Sequence, residues 1–438
     1  MCAFDLGDAA NQSERSMTAL STAMPVGLRR SELAWLAMAV FVVSAGYGAL
    51  LPVLPGWLVL MLPAATPVEI TRHIGFASGV YALGVLIGAP FWGLISDRVG
   101  RNLVLITGFA GYVVSLIALL VPGWVDIASL YILRGSAGFF VAAIVPLVSV
   151  IVAERTVEAQ RARRFAWLGS MSLLGFLVGP AAIAAASWLA ASVGARALAP
   201  AALAQIVVLL TAAFGGVTMI GLLRVLRALP VAARMPERPD AGPRYQSGLP
   251  LWGLVAAVMF VLAAFELGIL LEGLRNPQVS SRDVALMFAE CSLVMLGVNA
   301  LLFFTPILNS NSAYRLVGMG LLLAMAGLAV LSNPAAHGWM YLGVSMTAAG
   351  TGLVLPVVAY LAAGVARADL AVTMGGLAAG TSLGQTLGSV AGGWLFGVSQ
   401  QHGFGWLALP LALLFVLLLF RRSFMKSAEA SVAPNPIR

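Results

Sequence analysis

The sequence predicts an all-α polytopic membrane protein of twelve transmembrane helices, arranged as two pseudo-symmetric six-helix bundles. Three observations predict it. Of 438 residues, 61% are hydrophobic and only 10% charged, whereas a water-facing domain carries about 45–50% apolar and about 25% charged residues. Apolar stretches of about 18–25 residues recur between Leu33 and Phe420, each long enough to cross roughly 30 Å of hydrocarbon. One long polar interruption, Arg224 to Gly248, divides these stretches into six and six.

Spans are expected at 33–58, 73–95, 103–121, 127–152, 165–189, 201–223, 251–274, 284–308, 314–332, 338–363, 371–398 and 403–420. Leu, Ala, Val and Gly fill them without polar/apolar alternation, which fits helices and not a lipid-facing β-barrel. The chain then divides into a tail (1–32), a first bundle (33–223), a linker (224–250), a second bundle (251–420) and a second tail (421–438). Residues 1–32 are too polar for the apolar core of a cleavable signal, and the first span is too long for one. Two cysteines, Cys2 and Cys291, support no disulfide framework.

A net charge of +8 could suggest nucleic acid, but the distribution points elsewhere. Twenty of the 25 basic residues fall on the side of the membrane that holds the 224–250 linker. Basic residues collect on the cytoplasmic side, so both termini are expected in the cytoplasm, with the spans in a bacterial-type inner membrane.

The chemistry-bearing segments follow in chain order. Span 1 contains Gly46-Tyr-Gly-Ala-Leu-Leu-Pro52-Val-Leu-Pro55; Pro52 and Pro55 remove two backbone donors and should bend its outer end. Between spans 2 and 3 stands Gly93-Leu-Ile-Ser-Asp97-Arg98-Val-Gly100-Arg101-Asn102. Its glycines permit a tight turn and close helix approach, while Asp97, Arg98 and Arg101 can form a charge network. Span 4 holds Arg134, which costs several kcal/mol in a helix this apolar unless paired or hydrated. It lies about 12 Å below Asp126, near enough to the outer edge to snorkel. Span 5 carries Gly175-x-x-x-Gly179-Pro180, a spacing that membrane helices use to pack closely.

The second half supplies the acids. Glu266 of span 7 lies about 24 Å from that span's cytoplasmic start, and Glu290 of span 8 about 10 Å from its outer start at Asp283. A membrane-buried carboxyl takes up a proton when dry and releases it when wet, which suits proton exchange. Glu272, near the external surface, reads as interfacial. In span 11, Gly384-x-x-x-Gly388 parallels Gly175-x-x-x-Gly179 at an offset of 209, and Pro356 parallels Pro146 at 210. Such a degenerate repeat implies two parallel halves around a central cavity. Gly380-Thr-Ser382-Leu-Gly384 also spells the hydrolase G-x-S-x-G, but that elbow needs a strand-turn-helix and a positioned histidine. Here it lies in mid-span, and His73, His337 and His402 fall at span ends. No enzyme, cofactor, metal cluster or phosphate loop is expected.

Four of these segments resemble the drug:proton antiporters of the major facilitator superfamily. The 93–102 loop is similar to G-x-x-x-D-R-x-G-R-[KR], with Asn102 at the usually basic last position. Leu130-Tyr-Ile-Leu-Arg134-Gly-Ser-Ala-Gly138 is similar to L-x-x-x-R-x-x-q-G, with Ala137 for the usual glutamine. Gly175-x-x-x-Gly179-Pro180 resembles the antiporter signature, whose two terminal glycines are here Ile183 and Ala184. The span 1 segment looks like g-x-x-x-x-x-P-v-l-P. All four lie in the first half, and the counterpart of the Asp97 loop, Phe304–Ser312, has no charge. The resemblance implies conformational gating by Gly93, Asp97, Arg98, Gly100, Arg101, Gly175, Gly179, Pro180, Pro52 and Pro55, and proton transfer involving Arg134. Relatives often carry an acid in span 1; this chain has none between Glu32 and Glu69. The proton carrier therefore falls to Glu266, then Glu290, with Arg134 responding across the cavity.

Three function classes are weighed. The first is a proton-driven exporter of a drug, siderophore or other small organic molecule, working as a monomer by alternating access. Its cavity should be apolar and aromatic, with Tyr47, Phe139, Phe140, Phe260, Phe265 and Tyr360 as candidate lining. An uptake permease for a sugar or organic acid would need more polar groups in spans 1, 4, 7 and 10. A sensor or scaffold would show no gradient-dependent flux.

Overall fold

The computed structural model describes residues 28–121, 126–156, 158–192, 200–228, 249–276, 278–305, 307, 313–333, 337–365, 370–399 and 402–420. Twelve helices run through them: α1 (Arg30–Met61), α2 (Pro67–Val99), α3 (Arg101–Ala118), α4 (Ile127–Glu154), α5 (Glu158–Ser192), α6 (Pro200–Ala228), α7 (Leu249–Arg275), α8 (Ser281–Phe304), α9 (Ala313–Leu331), α10 (His337–Val365), α11 (Leu370–Ser399) and α12 (Gly403–Phe420). Among the described residues, nine helices contain a stretch long and apolar enough to cross a membrane. In α5 and α12 the apolar stretches are shorter, Trp167–Ala182 and Gly403–Leu419. Glycine, threonine and serine dilute the hydropathy of the thirty-residue α11. Most of the linker and both tails lie outside the described residues.

Local chemistry sets the helix starts. Thr66 accepts from the Glu69 amide while the Glu69 carboxylate accepts from the Thr66 amide at 2.7 Å, with Pro67 at the first helical position of α2. Ser280 and Asp283 repeat the box at α8. Both satisfy amides that a helix start leaves without partners. Between α2 and α3 the chain reverses at one residue. Gly100 ends one helix and begins the next at φ +102°, a conformation that side chains with a Cβ rarely adopt.

The two halves pack alike. In the first, α1 lies on α5 and α6, α4 on α2 and α3, and α3 on α6. In the second, α7 lies on α11 and α12, α10 on α8 and α9, and α9 on α12. Every pair has its counterpart six helices on. The repeat read from Gly175 and Gly384 appears directly: a Cβ at Gly175 would stand 2.3 Å from the Phe41 carbonyl oxygen, and one at Gly384 2.1 Å from that of Ala256. Both α5 and α11 thus sit backbone-to-backbone on the first helix of their half. Pro52 and Pro55 lie inside α1, which continues through both to Met61.

The halves meet mainly through α2 against α11 and α5 against α8. Gly75, Gly79 and Gly397 make the first seam, touching Gly393, Val390 and Val68 respectively. These positions lie in the part of α2 that precedes its midpoint and the part of α11 that follows its own. Phe176 meets Phe288 edge-on at 6.5 Å in the second seam. Both seams favour the face where α2 begins. On the opposite face, which carries Arg30, Arg98, Arg101, Arg164, Arg224, Arg227 and Arg315, the halves part.

Candidate functional site

A cavity of about 1240 Å³ opens toward the arginine-rich face, lined by the start of α1, the first half of α5 and the last turns of α8 and α10. Its walls include Leu33, Trp167, Leu173, Met295, Phe304 and Leu355, with Ser170, Ser172 and Asn299 among the polar groups. That volume exceeds the roughly 300–1,000 Å³ of drug-sized pockets. Ser172 exchanges a 2.8 Å hydrogen bond with Ser44 of α1.

A polar chain links the two halves. Its first member is Arg134 of α4, only 2% exposed. One turn further on, Gly138 lets α4 approach α2 so closely that a Cβ there would stand 2.0 Å from the Tyr81 carbonyl oxygen. That approach sets the Arg134 guanidinium 4.8 Å from the centre of the Tyr81 ring. The Tyr81 ring lies 5.1 Å from that of Tyr47 on α1. The Tyr47 hydroxyl accepts a 2.9 Å hydrogen bond from Gln385 Nε2 of α11 and lies within electrostatic reach of the Glu266 carboxyl of α7. With the Tyr47 oxygen already accepting from Gln385, its own proton is available to the carboxylate. The order is Arg134, Tyr81, Tyr47, Glu266, and it crosses from the first bundle to the second.

Arg134 has little else. Its Nε and Nη2 find no hydrogen-bond partner among the described residues, and its electrostatic neighbours are Tyr81, Tyr47 and Tyr112. A desolvated cation–π contact is worth about 2 kcal/mol, whereas a guanidinium at membrane depth costs about 2.5 kcal/mol at least. The ring alone does not balance the charge. Arg134 therefore remains sensitive to any charge placed near Tyr47.

Glu290 occupies another setting. Its Oε1 accepts from Ser345 Oγ of α10 at 2.6 Å, while Oε2 is buried without a partner among the described residues. It faces α10 through that bond. So the structure joins Arg134 to Glu266 through tyrosines and sets Glu290 apart.

The candidate lining is redistributed. Phe139 packs with Phe91 and Trp92 at the α2–α4 interface, and Trp92 Nε1 donates to its carbonyl at 2.8 Å. Phe140 turns toward α3, where a Cβ on Gly111 would stand 2.4 Å from its ring. Phe265 is fully buried and packs edge-on against Phe404 of α12. These three side chains fill helix interfaces within the bundles, not the cavity. Phe260 and Tyr360 are half-buried and absent from the described lining. Tyr47 takes the central position described above. Tyr81 and Gln385 were missed; the signal for Gln385 was an isolated amide in a glycine-rich span.

The gating candidates divide likewise. Gly175 and Gly179 form the α1–α5 seam with Pro180 buried beside them. Gly93 meets no atom within 4 Å of an added Cβ, and Arg98 is exposed. The Asp97 side chain lies outside the described set. Asn102, at the usually basic position, donates to the Leu226 carbonyl near the end of α6 at 3.2 Å. The Gly380–Gly384 segment is helical throughout, with Gly380 against the Trp252 carbonyl.

The model of the Major Facilitator Superfamily matches residues 36–334. The chain belongs to the major facilitator superfamily. Major facilitator proteins are membrane transporters and not enzymes, and this chain is a multi-pass membrane protein of that family. Its curated relatives include the class B tetracycline resistance protein of Escherichia coli, 34% identical over 137 residues, which are 31% of this chain and 33% of that protein. The chain thus matches about a third of that relative's length. The class D tetracycline resistance protein of Salmonella ordonez is 26% identical over 401 residues, covering 86% of this chain and 94% of the relative. The crystal structure of the human organic anion transporter MFSD10 superposes with a TM-score of 0.65 at 19% identity, covering 89% of this chain and 99% of that one. The nucleoside transporter NupG gives 0.62 at 13% identity, covering 90% and 99%. These two likenesses concern the fold alone.

Proposed function

We propose that this major facilitator protein exports a small, largely apolar organic molecule in exchange for protons, by alternating access, with Glu266 as the proton-exchanging group. The observation that carries the reading is the Arg134–Tyr81–Tyr47–Glu266 chain, which spans both halves beside a large, mostly apolar cavity. The arginine-rich face is then cytoplasmic, as expected where basic residues gather, and the conformation is inward-facing, closed at the α2–α11 seam.

The chemistry follows from electrostatics in a poorly hydrated interior. Ionised Glu266 attracts the Tyr47 hydroxyl and adds negative charge on the Tyr47 side of Tyr81, where it offsets part of the unbalanced Arg134 charge. Protonation removes that attraction. The two protonation states therefore favour different arrangements of the halves, and a ligand or ion shifts such an equilibrium by its differential affinity for the two states. Protonation at the outer face and release at the inner face would drive the cycle toward export. The drug-resistance relatives support an export direction.

The test is proton-driven uptake of candidate substrates into inverted vesicles. Wild-type protein accumulates substrate when the interior is acidified. Glu266→Gln loses accumulation but still exchanges labelled for unlabelled substrate. Undiminished gradient-driven accumulation by that variant would refute the reading.

A further inference from the structure

The described lining of the cavity carries charge of one sign. Among its described lining residues are two arginines, Arg30 and Arg164, and no carboxylate. Arginines on this face also follow from membrane orientation alone, and Arg224 and Arg227 are of that kind: both exposed, neither in the described lining. Arg164 differs. It is half-buried, and its guanidinium is held, donating through Nη1 to Thr156 Oγ1 at 3.0 Å and through Nη2 to Gln160 Oε1 at 3.5 Å. Thr156 Oγ1 in turn donates to the Val152 carbonyl at 2.5 Å, which turns its lone pairs toward the arginine. Thr156 takes one of the five guanidinium N–H donors and Gln160 a second, weaker one, and these contacts orient the rest of the planar fork.

The walls beside it are apolar. Trp167, one turn along α5, is 48% exposed and lines the same cavity with Leu173, Met295 and Leu355. Apolar walls around a fixed cation focus its field, and a paired guanidinium–oxyanion contact is strong and directional. A cation of the same shape meets repulsion and finds no described carboxylate.

We infer that this cavity selects amphipathic anions: a flat apolar body seats against Trp167, Leu173 and Met295, and a carboxylate, sulfonate or enolate oxygen takes the open edge of Arg164, with Arg30 adding attraction at the mouth. The inference rests on the reading of the cavity as the substrate site. Moving such an anion outward while a proton moves inward carries charge in the direction that an inside-negative membrane potential favours.

Equilibrium dialysis tests it on the full chain in nanodiscs, without any gradient, using three probes that share one ring: 1-naphthylacetate, 1-naphthylethanol and 1-naphthylmethylammonium. Wild-type protein should bind the anion at least tenfold more tightly than the cation. Arg164→Gln should weaken anion binding about tenfold and leave the neutral alcohol unchanged. Arg164→Lys should recover part of the loss, and Arg227→Gln should change nothing. Cation binding equal to or tighter than anion binding, or no measurable anion binding, overturns the inference even if Arg164→Gln fails to fold. So does an Arg164→Gln variant with the wild-type preference. Because no gradient is applied, loss of proton coupling in vesicles would refute the export reading and leave this result standing. Proton-driven export of cations would do the reverse.

Discussion

Gln385 of α11 donates to the Tyr47 hydroxyl of α1 at 2.9 Å, a contact between side chains 338 positions apart that joins the two bundles near the middle of both helices. The same hydroxyl lies within electrostatic reach of Glu266. One tyrosine oxygen thus connects three helices from two halves, and what happens to the Glu266 proton is felt in both.

Removing that oxygen should loosen coupling more than binding. Tyr47→Phe keeps the ring beside Tyr81 but deletes the hydroxyl that accepts from Gln385 and faces Glu266. A neutral hydrogen bond is worth about 0.5–1.5 kcal/mol, so uphill accumulation in vesicles should fall roughly twofold to tenfold, while substrate affinity without a gradient stays near wild type. Equal losses in both measurements would place Tyr47 in the substrate site instead.

Arg134 tests charge against shape. Lysine keeps the charge but loses the planar face that stacks on Tyr81; glutamine loses both. Arg134→Lys should retain a measurable fraction of transport and Arg134→Gln none, with both proteins present in the membrane at normal levels. Full transport by Arg134→Gln would remove this residue from the coupling chain.

The α2–α11 seam should set the conformational balance. A Cβ on Gly75 would stand 2.8 Å from Gly393 Cα and from the Ser389 carbonyl oxygen, and backbone cannot yield. Gly75→Val should open the face where α2 begins. Spin labels on α2 and α11 near that seam would then show a longer distance population than in the otherwise wild-type protein. An unchanged distribution would mean that the seam does not hold this conformation.

Gly179 should matter for folding. A Cβ there would lie 2.5 Å from the Ala45 carbonyl oxygen, whereas Gly216 of α6 has nothing within 4 Å. Overpacking a tight seam costs about 1–3 kcal/mol or more. Gly179→Val should lower the thermal midpoint in detergent by several degrees, and Gly216→Ala should leave it unchanged or slightly raised.

Much of this was legible in the sequence. Twelve helices follow from hydropathy because lipid leaves no alternative to internally bonded backbone. The G-x-x-x-G pair at 175 and 179 and its echo at 384 and 388 identified the close α1–α5 and α7–α11 contacts within each half, since only glycine permits that approach. Arg134 and Glu266 stood out because ionisable side chains at membrane depth are scarce. Phe139, Phe140 and Phe265 misled for a physical reason. In a soluble helix the polar face marks the outside, but a membrane helix is apolar toward lipid, toward its neighbours and toward an apolar cavity alike. Which way those rings point is decided by packing against Trp92, Gly111 and Phe404, contacts between helices that no local pattern encodes. Tyr81 escaped notice for the same reason: its role exists only once Gly138 brings α4 against it.

The central claim is that the proton exchanged during transport resides on Glu266, and substrate-induced proton release measures this directly. Purified protein in lightly buffered detergent solution, mixed with a transported substrate and followed with a pH dye, should release protons in the wild type and none in Glu266→Gln at matched occupancy. Equal release by the two proteins would contradict the account and assign the exchanged proton to another group.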